Sequence, residues 1–97
     1  MFFVKIHKKL GREVVAVCDK DILGKTFDNG KIHFEVSEGF YKGEEKSKEE
    51  LKIILLDAKN TNLCGKETIK LALDLKVIDK ENIIEIKGMH HAQSIFL

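Results

Sequence analysis

Five consecutive apolar residues, Val14-Val15-Ala16-Val17-Cys18, constrain the fold of this chain more than any other feature. Successive side chains of a strand point to opposite faces, so a strand that is apolar throughout must be covered on both. The run therefore predicts a central strand with other strands beside it. Phe2, Val4 and Ile6 alternate with more polar neighbours and read as one of those partners. Lys8-Lys9-Leu10-Gly11-Arg12 reads as the hairpin tip between the two.

Beyond the central run, Asp19-Lys20-Asp21 breaks the pattern and Ile22-Leu23-Gly24 suits a short turn or one helical turn. Asp28-Asn29-Gly30 is a hairpin signal, because a tight primed turn needs positive φ. Ile32, Phe34 and Val36 follow on one face of a strand, with Lys31, His33 and Glu35 on the other. Residues 37–46 read as a polar loop holding an aromatic pair, Phe40-Tyr41. Ser47-Lys48-Glu49-Glu50 is a capping box, and the helix it opens carries Leu51, Ile54, Leu55 and Ala58 on one stripe. Asn60-Thr61-Asn62 predicts a turn into a second helix from near Gly65 to Lys76. That helix should bury Ile69, Ala72 and Leu73, with Leu71 and Leu75 on its flank. Ile84-Glu85-Ile86 is a last strand, before a polar terminal segment that holds His90, His91 and Gln93. The expectation is a single α+β domain over residues 1–97: a small mixed or antiparallel sheet covered on one face by a helical hairpin.

Composition excludes several classes. With 43% hydrophobic and 34% charged residues, the chain has enough apolar material for one core and is not a disordered polymer. No apolar run approaches the roughly 18 residues of a membrane span, and the first residues lack a signal-peptide pattern, so a cytoplasmic protein is expected. The formal charge of +1 gives no global nucleic-acid signature. Arg12 is the single arginine among 17 cationic side chains, which weighs against base reading by arginine forks.

Most motifs fail on spacing. Gly24-Lys25-Thr26 echoes a P-loop tail, but Asp19 stands where the first glycine belongs. Cys18 and Cys64 are isolated and His90 and His91 adjacent, so no zinc-ligand spacing exists; neither metal nor cofactor is expected. A nucleophilic pair of Cys64 or Cys18 with His91, acting on an acyl or phosphate-bearing substrate, is the enzymatic alternative. Gly65-Lys66 opens a helix whose unpaired N–H groups could hold an anion. Lys5, Lys8, Lys9 and Arg12 cluster at a hairpin where they could follow a phosphate backbone, and Phe40 and Tyr41 offer stacking faces.

The whole chain resembles a small archaeal family known as domain of unknown function 424. The resemblance rests on Val-Ala-Val-Cys-Asp at 15–19, Leu-Gly-Lys-Thr-Phe at 23–27 and Phe-Tyr-x-Gly at 40–43. Asn-Leu-Cys-Gly at 62–65 and the closing His-Ala-Gln at 91–93 complete it. Where the family often has a proline before the closing histidine, this chain has His90. The resemblance implies an archaeal cytosolic protein with no assigned activity, in a setting near the translation machinery. It draws attention to Asp19, Asn62, Gly65, His91 and Gln93 as members of characteristic stretches.

Together these observations predict a non-enzymatic module that binds RNA or a ribonucleoprotein or translation-factor partner, not a membrane. Lys8, Lys9 and Arg12 are expected on phosphates, Tyr41 on a base, and His91 and Gln93 in hydrogen bonds. Asp19 and Asn62 are expected to share a patch with His91 and Gln93, while Gly65 and Lys66 offer the anion site. An exposed strand edge would allow an oligomer.

Overall fold

The computed structural model describes residues 1–95. Phe2–Lys9 (β1) and Arg12–Asp19 (β2) form an antiparallel hairpin in which Lys9 faces Arg12. Its two-residue loop, Leu10-Gly11, has positive φ at both positions, the primed turn that matches strand twist. After a single 3-10 turn at Lys20–Ile22, Thr26–Asp28 (β3) and His33–Glu35 (β4) pair as a separate two-stranded sheet. The loop between them spans four residues instead of the expected tight turn. Asn29 Oδ1 organises it by accepting from the backbone N–H of Lys31 and Ile32 at 2.9 and 2.7 Å.

The stretch expected to be a polar loop is structured. Glu38–Tyr41 (α1) is one helical turn capped by Ser37, and Glu44–Lys46 (β5) pairs with the start of β1. Lys48–Asp57 (α2) begins at the expected capping box: Glu50 N–H donates to Ser47 Oγ, and Ser47 N–H to Glu50 Oε1. Such a cap stabilises a helix by about 1 kcal/mol.

Then comes the main departure from expectation. Asn60–Cys64 (β6) is a strand in the middle of the sheet, parallel to β2 and antiparallel to Met89–Ile95 (β8). Asn-Thr-Asn is turn-like in isolation, but here neighbours on both sides satisfy its backbone, and Asn60 Nδ2 donates to Glu13 O at 3.1 Å. So α2 and Lys66–Asp74 (α3) do not form a hairpin, because a strand runs between them. In α3 it is Leu71 that is buried beside Ile69 and Ala72, while Leu73 is half-buried. Ile84–Ile86 (β7) joins β8 through Lys87-Gly88, again with positive φ at both loop residues. The six-stranded sheet is therefore mixed, in the order β5-β1-β2-β6-β8-β7.

Strand alternation sorts the core into two layers. Val15, Val17, Leu63 and Ala92 face α2 and α3, meeting Leu51, Leu55, Ile69 and Ala72. Burying each leucine or isoleucine there contributes roughly 1.5–3 kcal/mol. Ala16, Cys18, Cys64 and Met89 face the other way, under Val36 and Tyr41. Partly buried Phe27 and Phe34 from the small sheet pack on that second layer. The apolar run of β2 is covered on both faces, as its sequence demands. No helix among the described residues is long and apolar enough to cross a membrane.

Candidate ligand-binding face

The second face is covered only in part. Following the register from β1 to β8, one row reads Lys5, Ala16, Asn62, Gln93, and the next Phe3, Cys18, Cys64, His91. The small sheet and α1 cover the second of these rows. Toward the β1–β2 hairpin the face opens, and a cleft of about 280 Å³ lies over it. Arg12, Asn60, Asn62 and Gln93 line this cleft, with Phe40 and Ile95 among its apolar walls. The alternation of β1 puts Lys5, His7 and Lys9 on the same face as Phe3. Two contacts agree: Lys5 Nζ donates to Gly39 O at 2.7 Å, and His7 Nε2 lies 2.8 Å from Phe40 O. The His7 ring also stacks on Phe40, with centroids 4.4 Å apart.

Beside the cleft, along the covered row of the same face, lies a polar chain. Cys64 Sγ–H donates to the Tyr41 hydroxyl at 3.0 Å, and that hydroxyl donates to Asn62 Oδ1 at 2.5 Å. His91 Nε2–H donates to the same oxygen at 3.1 Å, and its ring packs against Phe34. Burial lowers the His91 pKa below the ordinary histidine value, because the imidazolium would lose its hydration. The unfolded chain binds the His91 proton more readily, so this contribution is complete above the unfolded value near 6.5. It is lost as pH falls from there through the depressed folded value. Denaturant unfolding at a series of pH values should show stability declining across that acid range, and His91→Gln should flatten that part of the curve.

The geometry divides the residues expected at the site. Arg12, Asn62 and Gln93 come together in the cleft, with Tyr41 and His91 beside it, bonded to Asn62. Lys9 shares their face, but Lys8 points to the opposite one and lies 3.8 Å from Glu13. Tyr41, expected to stack on a base, is only 2% exposed, and the aromatic ring at the cleft is Phe40. Asp19 does not join the patch. It sits at the far end of β2, accepting from Glu67 N–H at 3.1 Å, Thr68 N–H at 2.8 Å and Thr68 Oγ1 at 2.7 Å. A carboxylate from within the chain thus already caps α3, so Gly65 and Lys66 are not an open anion site. Asn60 escaped the sequence reading as a site residue. The one available signal for Asn60 was the alternation of Asn60, Asn62 and Cys64 along β6, hidden by the turn-like composition.

The thiols do not suit nucleophilic chemistry. Cys18 and Cys64 are fully buried, and burial pushes each up to about 12, so both are protonated at neutral pH. His91 bonds to Asn62. Among the described residues no group of three or more His, Cys, Asp or Glu is placed to hold a metal ion.

Residues 7–97 match the model of a family described as "Protein of unknown function (DUF424)". The crystal structure of an uncharacterized conserved protein from Methanopyrus kandleri superposes with a TM-score of 0.75 at 22% identity, over 95% of this chain and 88% of that one. At that identity the likeness is one of fold. A comparison with curated proteins gives no match.

Proposed function

The chain belongs to that DUF424 family, and from this premise we propose that it is a non-enzymatic module binding single-stranded RNA on its open sheet face. One observation carries the reading: Lys9 and Arg12 share a sheet face with a cleft that combines an aromatic ring, Phe40, with three amide side chains. Single-stranded RNA offers just what this arrangement complements. Its phosphates attract cations, its unstacked bases lie on aromatic rings, and its base edges pair with amides. An open cleft at a sheet end takes a splayed base, whereas the recessed bases of an A-form duplex would not reach its floor. RNA within a ribonucleoprotein particle presents the same chemistry wherever it is unpaired.

Fluorescence anisotropy with a short labelled RNA tests the proposal. Log affinity should fall linearly with log salt, with a slope of about 0.7 per neutralised phosphate for a single strand. The double variant Lys9→Gln, Arg12→Gln should lower that slope by about 1.4, whereas Lys8→Gln, on the opposite face, should leave it nearly unchanged. No binding at about 50 mM salt, or a slope untouched by the double variant, would sink the reading.

A further inference from the structure

We infer that Asn62 determines base specificity in the cleft: its side-chain NH2 is a fixed donor that selects keto bases, uracil and guanine, over amino bases, cytosine and adenine. The inference rests on the RNA-binding reading of the same face, and deepens it by naming the ligand.

The orientation of the amide follows from its partners. Asn62 Oδ1 accepts from both Tyr41 and His91, so its two lone pairs are engaged. Turning the amide over would point its NH2 at the hydroxyl of Tyr41, a residue only 2% exposed, and leave that O–H no acceptor but the weak Cys64 Sγ at 3.0 Å. Exchanging a strong oxygen acceptor for a weak sulfur one in a buried site, with a change of His91 tautomer besides, is costly, so the network favours Asn62 one way round. The free end is then Nδ2, on a residue that lines the cleft. Asn60 is held oppositely, with Nδ2 engaged by Glu13 O, so it leaves an oxygen. Gln93, directly across from Asn62 and exposed, is free to turn either way.

An asparagine with both ends free pairs with adenine by giving one hydrogen bond and taking another. Asn62 cannot, because its oxygen is committed. What remains is a lone donor, and a donor set against C4 of a pyrimidine or C6 of a purine meets the bases in sharply different ways. Uracil presents O4 where cytosine presents an N4 amino group, and guanine presents O6 where adenine presents N6. A donor facing an amino group leaves both unpaired, a penalty expected to show as about a tenfold difference in affinity.

Anisotropy with oligouridine and oligocytidine of equal length tests this on the intact protein. Wild type should bind oligouridine about tenfold more tightly. Asn62→Asp keeps an oxygen for Tyr41 and His91 while turning the outward atom into an acceptor, so the ratio should collapse or reverse. The added charge weakens both RNAs alike, which is why the ratio is the readout. A wild-type measurement covers the case in which that variant misfolds: replacing uridine by 4-thiouridine, a poorer acceptor, should erase most of the preference. Equal binding of the two oligomers overturns the base selection and leaves RNA binding intact. A preference that survives both Asn62→Asp and 4-thiouridine overturns the role of Asn62 alone. Failure to bind either oligomer at low salt overturns the RNA reading together with its refinement.

Discussion

Gly65→Ala is expected to destabilise the protein by about 3–5 kcal/mol, an effect of a size normally reserved for large core truncations. Two independent causes add. Gly65 adopts φ 106° and ψ 149°, a region that only glycine occupies without a strain of about 1–3 kcal/mol. A methyl group there would also stand 2.3 Å from Asp19 Cγ, inside the carboxylate that caps α3. The Asp19 side chain would have to leave, abandoning the N–H groups of Glu67 and Thr68 and the Thr68 hydroxyl in a buried junction. Urea unfolding is the measurement, with the midpoint falling and the slope unchanged. Asp19→Asn, which keeps the shape but exchanges an acceptor oxygen for a donor, should cost less, about 1–2 kcal/mol. If Gly65→Ala lies within about 1 kcal/mol of wild type, this account of the junction is wrong.

Tyr41 carries the second large effect, in two separable parts. Tyr41→Ala should cost about 3–5 kcal/mol by opening a cavity over Cys64 and the second face of the sheet. Tyr41→Phe keeps the ring and removes only the hydroxyl, which donates to Asn62 and accepts from Cys64. Its cost should be about 1–2 kcal/mol. Its effect on recognition should be larger than that figure suggests, because only the His91 N–H then holds the Asn62 amide, and a change of imidazole tautomer lets it turn over. The preference for uridine should relax while the salt dependence stays as in wild type. Denaturation and anisotropy on the same variant check both. A Tyr41→Phe protein as selective as wild type would mean that the hydroxyl does not orient the amide.

These junctions also mark the limit of what the sequence reveals. The central strand, the first hairpin and the capping box were legible because each is written in a few adjacent residues. Strand β6 was not. Asparagines favour turns when nothing else binds them, and only the placement between β2 and β8 makes Asn60–Cys64 extended. The cap of α3 was equally hidden, since its N-cap position holds a glycine and the carboxylate comes from a strand 48 residues earlier. Phe40 and Tyr41, adjacent on one helical turn, point in directions about 100° apart, so one can be buried while the other lines the cleft. The parting of Lys8 from Lys9 was available all along from the two-residue period of a strand. The site was thus half visible: its residue types could be named, but not the hydrogen bonds that fix Asn62.

The parallel pairing of β2 with β6 also sets the order of assembly. Three antiparallel hairpins, β1–β2, β3–β4 and β7–β8, can each zip locally in about 1–10 μs. The β2–β6 ladder joins distant halves of the chain and must wait for a slow loop closure. Until then one edge of β2 lies bare and sticky, so the chain's greatest exposure to self-association falls before the middle of the sheet has closed.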